Sequence, residues 1–143
     1  RFLLTRPLDA WRVTMGFIRR TFENSADECR YLFFSDDLPA ADLERYQALI
    51  ASSAQPGTKL LDLRRLGGSL PIQAGACDLP PVLVVGSADD RVVDREGVLE
   101  TAAHFGLPEP VFLAATAHDS MLDTRWEGAA DALEAFLHDL PPR

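Results

Sequence analysis

Two stretches in the second half of the chain decide its fold: residues 81–93 read PVLVVGSADDRVV, and residues 110–123 read PVFLAATAHDSMLD. The first begins with a continuous run of valine and leucine and the second with a shorter apolar run. Both runs favour strands buried on both faces, and each continues into a polar loop. A segment with helical signals follows each loop, so the pattern is β-α-β-α. Strands connected through helices pair in parallel, and we therefore predict two parallel strands at 82–85 and 110–113.

The two helices of this half carry clear boundary signals. Asp94 is placed to cap the first helix and Gly106 to end it. Residues 124–127 read TRWE, a capping box that predicts the start of the final helix. That helix is expected to turn four apolar residues inward: Ala130, Leu133, Phe136 and Leu137. Because two parallel strands alone rarely form a stable sheet, these elements indicate the edge of a larger sheet whose other strands lie outside this chain.

The first half of the chain contains helical signals only. Pro7 and Pro39 suit the first turns of helices, and residues 25–28, SADE, form a capping box. A fourth short helix is predicted through residues 60–63, followed by a loop over 69–80. The sequence thus divides into a helical region, 1–70, and an α/β region, 71–143.

The composition restricts the classes of partner. The formal net charge is −8 over 143 residues, and nucleic acid or an anionic membrane surface requires a basic face, so neither is expected to bind. No apolar run approaches the ~20 residues that span a bilayer. Cys29 and Cys77 lack the spacing of a metal site or a disulfide framework, which makes a reducing compartment such as the cytoplasm the default expectation. Gly86 alone after a strand is no dinucleotide fingerprint, and we predict no cofactor.

Titratable side chains follow both predicted strands. Asp89 and Asp90 come after the first strand, and His118 comes after the second. Ligand sites of open α/β sheets lie beyond the carboxyl ends of the strands, where these residues are expected to meet. A histidine there acts as a general base when a carboxylate fixes its tautomer and stabilises its charged form. The order predicts an acid–base pair of His118 with one of the two aspartates.

Residues 86–93 (GSADDRVV), 117–123 (AHDSMLD) and Trp126-Glu127 resemble the C-terminal third of the α/β-hydrolase superfamily, in particular its lipase- and esterase-like serine hydrolases. The resemblance covers residues 81–140, and residues 1–70 are similar in kind to the helical cap inserted in these enzymes. It implies an α/β class and a partial α/β-hydrolase fold, with a helical cap before the β-α-β-α edge of a parallel sheet. It further implies a Ser-His-Asp triad with His118 as base and Asp90, in preference to Asp89, as acid.

The sequence departs from this family at the nucleophile. No G-x-S-x-G elbow occurs, since none of the serines has glycines both two residues before and two residues after it. We therefore expect the serine and the oxyanion-hole donors upstream of Arg1, which makes the chain a fragment of a serine hydrolase acting on a carboxylic ester or related acyl compound. Whether the chain is itself an enzyme stays open, because an acid and a base without a nucleophile give little catalysis.

Two other functions fit the sequence. One is a catalytically inactive hydrolase-like module that forms a homodimer or binds a protein partner through an exposed sheet edge. The other is a metal-dependent hydrolase in which Asp119 and Asp123 join Asp89, Asp90 and His118 as ligands. The spacing of these residues matches no metal motif, and surface or capping roles are the simpler interpretation of Asp119 and Asp123, so we predict no metal site.

Overall fold

A computed structural model describes residues 6–53 and 80–141. The helix predicted through residues 60–63 and most of the loop predicted over 69–80 lie outside the described residues. Over the described ranges the chain is α/β, with five α-helices, one short 3₁₀ helix and a two-stranded parallel sheet. The elements are α1 (Pro7–Arg19), the 3₁₀ helix (Thr21–Glu23), α2 (Ala26–Phe33), α3 (Ala40–Ser53), β1 (Val85–Ser87), α4 (Arg95–His104), β2 (Val111–Leu113) and α5 (Trp126–His138).

The buried core lies among the helices of the first half. Its centre is aromatic: the ring of Phe33 meets the ring of Phe22 edge to face, with 5.3 Å between the ring centroids. Phe22 and Phe34 are both fully buried. Val92, from the loop region after β1, and Leu122, from the loop after β2, pack against this core. The helices and the two loops that follow the strands are therefore one packed unit rather than two separate bodies.

The sheet is short, and α4 packs closely on β1. β1 and β2 pair in parallel, with Val85 opposite Val111 and Ser87 opposite Leu113. At Gly86 the strand approaches α4 so closely that a Cβ would stand 2.8 Å from both methyl carbons of Val98. A glycine in the middle of β1 therefore allows the close packing between strand and helix.

The strand predictions were correct in type and pairing but inaccurate in position and burial. β1 covers Val85–Ser87 rather than residues 82–85, because the ladder exists only where β2 runs alongside; Val111 N–H donates to the carbonyl of Val84 at its start. The expectation of burial on both faces was wrong. Val85 and Val111 each keep 39% of their surface exposed.

The helix boundaries show which capping signals were used. Ser25 accepts from the Glu28 N–H and Asp94 from the Gly97 N–H, so both predicted N-caps are confirmed. The reciprocal bond of the capping box at 25–28 is not formed, because the Ser25 N–H donates to the Thr21 carbonyl and Glu28 pairs with Arg12. The capping box predicted at 124–127 was wrong, because the N-cap of α5 is Arg125 and no side chain caps the helix. The Thr124 hydroxyl instead donates to Asp37 across the molecule. The inward face predicted for α5 was also wrong, because no residue of α5 is buried.

Candidate active site

The loop after β1 folds so that Asp90 is held from two sides. Its Oδ1 accepts hydrogen bonds from the backbone N–H of Val92, at 2.7 Å, and of Val93, at 3.0 Å. This is the turn that aspartate favours, in which the carboxylate replaces a backbone acceptor. The Asp90 side chain is 8% exposed. One oxygen is thus used to fix the loop, and the other remains directed toward His118.

The loop after β2 brings His118 to that second oxygen. His118 Nδ1 lies 2.9 Å from Asp90 Oδ2. A carboxylate only accepts, so Nδ1 carries the proton and donates it, and the neutral imidazole keeps its lone pair on Nε2. The His118 side chain is 30% exposed, and within the described residues no hydrogen bond is made to Nε2. This is the tautomer that a general base requires.

The two loops are also bonded to each other through their backbones. The N–H of Ala88 donates to Leu113 at 2.9 Å, and the N–H of Asp89 donates to Thr116 at 3.0 Å. These bonds continue the parallel ladder beyond the strands and bring the two loops side by side. The Asp89 side chain is exposed, and it is Asp90 that bonds His118.

The electrostatics of the pair favour a charged imidazole. The hydrogen bond to Asp90 raises the pKa of His118 above its usual range, although burial acts in the opposite direction. The negative charges of Asp90 and Asp119 raise it further. Burial raises the pKa of Asp119 as well, and the neighbouring charges of Asp90 and Asp123 add to this effect.

The helical region reaches the site through the end of α2. The N–H of Asp119, the residue after His118, donates to the Phe33 carbonyl at 2.9 Å. The Phe33 ring lies beside the imidazole, with 6.0 Å between the ring centroids. The sequence did not predict this contact, because it joins residues far apart in the chain without any local signal.

Asp123 occupies a different position from the one predicted for it. It is 1% exposed, so the surface role was wrong, and its carboxylate accepts four hydrogen bonds from Ser35, Ala117 and Thr124. The predicted capping role describes it better, since three of those donors are backbone N–H groups. With this set of donors, Asp123 has no free oxygen for a cation.

An open polar cavity of about 500 Å³ lies beside Asp90. Its lining combines carboxylates and guanidinium groups, among them Asp36, Asp37, Asp89, Asp90, Arg91 and Arg125. Arg125 is bonded to Asp37 at 2.9 Å, and Arg91 lies 3.6 Å from Asp36. The cavity thus borders the acid of the pair and carries little net charge.

The chain matches no protein-family model, and neither the curated proteins nor the solved structures give a significant match.

Within the described ranges, no group of three or more histidine, cysteine, aspartate or glutamate side chains is arranged to hold a metal ion. In the same part of the chain, none of the helices has both the length and the apolar character needed to cross a membrane.

The serine hydroxyls that are bonded in the described residues make structural contacts. Ser52 and Ser53 donate to carbonyls of their own helix, and Ser35 donates to Asp123. None of the hydroxyls in the described residues is hydrogen-bonded to His118. Ser69 lies outside these residues. The described residues therefore bring Asp90 and His118 together, with no hydroxyl bonded to the imidazole.

Proposed function

We propose that Asp90 and His118 are the acid and base of a serine hydrolase that cleaves a carboxylic ester or related acyl substrate, with the nucleophilic serine contributed by residues upstream of Arg1. The observation that carries this proposal is the 2.9 Å bond between His118 Nδ1 and Asp90 Oδ2, which leaves Nε2 available. Both residues follow neighbouring parallel strands, as this chemistry requires on an open sheet.

In this reaction His118 Nε2 removes the proton from the serine hydroxyl as the serine attacks the acyl carbon. The imidazolium that forms is stabilised by Asp90, and His118 then returns the proton to the leaving alkoxide. Water repeats the sequence to release the acid. Because Oδ1 of Asp90 is held by two backbone N–H groups, the carboxylate keeps its orientation while the charge on the imidazole changes.

The helical region, 1–70, is the proposed cap of this enzyme. Its support is the direct packing of α2 on the base, through the Phe33 ring and the Phe33 carbonyl. The apolar residues of α1 extend from this contact to the surface, where Leu8 and Trp11 are largely exposed. A cap in this position can bring apolar surface toward an acyl group without moving His118.

A fluorophosphonate probe tests the proposal, because it labels serines that a neighbouring base activates. The protein is expressed with its upstream coding sequence, labelled, digested and analysed by mass spectrometry. We expect label on one serine upstream of Arg1, with glycines at the elbow spacing, and hydrolysis of short p-nitrophenyl esters. His118→Ala should abolish the labelling.

His104→Ala is the matched control. His104 is exposed and ends α4, away from Asp90, so its loss should leave labelling and hydrolysis unchanged. Labelling that survives His118→Ala, or an upstream sequence with no labelled serine, would show that the pair does not serve a serine hydrolase.

A second candidate function is association of two copies without catalysis. It is favoured by apolar side chains that stay exposed on the sheet and on α5: Val85, Val111, Leu133 and Leu137 have 39%, 39%, 52% and 56% of their surfaces exposed. Light scattering after size-exclusion chromatography of the 143-residue chain distinguishes the two functions. A discrete dimer that Leu133→Glu dissociates supports association, and a monomer at all concentrations counts against it.

A further inference from the structure

Asp123 is the most completely bonded carboxylate near the candidate site. It lies five residues after His118 and is 1% exposed. Oδ1 accepts from the N–H of Ser35 at 3.2 Å and of Thr124 at 2.9 Å. Oδ2 accepts from the Ser35 hydroxyl at 2.6 Å and from the Ala117 N–H at 2.9 Å. A buried carboxylate is tolerated only when its oxygens are satisfied in this way.

These bonds connect the backbone on the two sides of His118. Ala117 directly precedes the histidine, and Thr124 lies six residues after it, two residues before α5 begins at Trp126. One carboxylate therefore fixes the backbone on both sides of the imidazole. Ser35 adds a third attachment, 88 residues away in sequence, in the segment between α2 and α3. The loop is thereby held against the same helical region whose Phe33 contacts His118.

We infer that Asp123 is a positioning residue that holds the His118 loop against the helical region and so keeps the imidazole opposite Asp90. The inference rests on the proposed function for its catalytic meaning, since a positioned base matters only if His118 acts as one. Asp123 itself contacts neither the imidazole through a hydrogen bond nor any reacting atom. It acts through the backbone N–H of Ala117, and Ser35 completes the attachment.

Asparagine at position 123 tests this role with little change in shape. Its single carbonyl oxygen can keep the N–H bonds of Ser35 and Thr124, while its amide group, placed at Oδ2, has no acceptor for the Ala117 N–H. The other orientation loses two N–H bonds instead of one. Asp123→Asn therefore releases the backbone next to His118 selectively and should weaken the bond between His118 and Asp90.

The readout is the pKa and tautomer of His118, measured in the 143-residue chain by nuclear magnetic resonance. The His118 signals are identified by their loss in His118→Gln. Asp123→Asn should lower the pKa of His118 toward that of a free imidazole by about half a pH unit or more and increase the Nε2–H tautomer. Asp119 also faces the imidazole, so Asp119→Asn is titrated in parallel to separate loss of charge from loss of position. The active protein should lose roughly 10- to 100-fold in kcat/KM.

Asp94→Asn is the matched control, because the Asp94 carboxylate accepts a backbone N–H at the start of α4 and makes no hydrogen bond to the His118 loop, and asparagine caps equally well. Asp94→Asn should leave the pKa and the tautomer of His118 unchanged. An unchanged pKa and tautomer in folded Asp123→Asn overturn the inference, whether or not the protein proves to be a hydrolase. If Asp123→Asn does not fold, Ser35→Ala decides: it removes only one bond and should give a smaller shift in the same direction, and no shift overturns the inference.

Discussion

At the scale of single residues, the candidate site depends on which of two adjacent aspartates faces the histidine. Asp90 uses one oxygen for its own loop and the other for His118. Asp90→Asn keeps the loop bonds through its carbonyl oxygen and presents an amide N–H to Nδ1. That donor forces the imidazole into the tautomer with the proton on Nε2, where it cannot act as a base.

In the active protein we therefore expect Asp90→Asn to lower kcat by roughly 10⁴-fold with the fold intact. Steady-state hydrolysis of a p-nitrophenyl ester measures this, and thermal unfolding checks the fold. The neighbouring Asp89→Asn is the control, since its exposed side chain does not bond His118 and its backbone N–H is unaffected. A large loss of kcat in Asp89→Asn, together with a mild effect of Asp90→Asn, would show that Asp89 is the acid of the pair.

The site residues that could be identified from the sequence share a signal in their neighbouring residues, and the contacts that were missed have none. Asp90 and His118 each follow an apolar run that predicts a strand, so their meeting is a consequence of strand order. Asp123 was visible as a polar residue in the same loop, but its burial depends on Ser35, which belongs to another region of the chain. Periodicity and turn chemistry cannot predict a contact of that range, because they describe neighbours in sequence only.

At the scale of elements, the fit between β1 and α4 is set by Gly86. A Cβ there would stand 2.8 Å from both methyl carbons of Val98 and 3.1 Å from the Phe112 ring. Valine has little freedom to move its methyl groups, so the helix or the strand would have to shift. We expect Gly86→Ala to destabilise the protein by about 1–3 kcal/mol.

A glycine-to-alanine substitution in α5 is expected to stabilise the protein instead. The nearest atom to a Cβ at Gly128 belongs to Leu113 at 3.9 Å, which is ordinary contact. Gly128→Ala should therefore stabilise the protein by about 0.5–1 kcal/mol, because alanine is the better helix former. Urea denaturation of both variants measures the two free energies. Equal effects of the two substitutions would contradict the close packing of β1 on α4.

The element boundaries show why capping signals were only partly predictive. Ser25 and Asp94 cap the helices that directly follow them, and both signals were local. Thr124 had an equally good local signal, but its hydroxyl bonds Asp37, which lies between α2 and α3. In a cap the Thr124 oxygen would accept from a backbone N–H of the helix, but here it accepts from the Arg125 guanidinium at 3.1 Å. The contacts with Asp37 and Arg125 therefore replace the local one.

At the scale of the whole molecule, burial is unevenly distributed over the described residues. The buried core lies in the helical region, and both strand loops pack on it. By contrast, α5 has no buried residue, and the first residue of each strand is exposed. The predicted α/β order was correct, but the expected burial of the sheet was not, because burial depends on what lies on each face rather than on the run itself.

The acid–base pair also couples the stability of the whole molecule to pH. The bond to Asp90 raises the pKa of folded His118 above the 6.5 of an unperturbed imidazole. Protons thus bind the folded protein more tightly than the unfolded chain. The stability that His118 contributes is fully present below pH 6.5 and is lost as the pH rises through the folded pKa.

We expect the free energy of unfolding of the native protein, relative to His118→Gln, to fall as the pH rises through this window. Urea denaturation at several values between about pH 5 and 8 measures the difference, and the subtraction removes the titration of most carboxylates. His138→Gln is the control, because the His138 side chain is 88% exposed and does not contact Asp90. Asp90→Asn should abolish most of the fall, since it removes the acceptor that favours the imidazolium. A difference that is flat with pH, or that rises, would mean that the bond between His118 and Asp90 does not persist in solution, and the proposed acid–base pair would lose its basis.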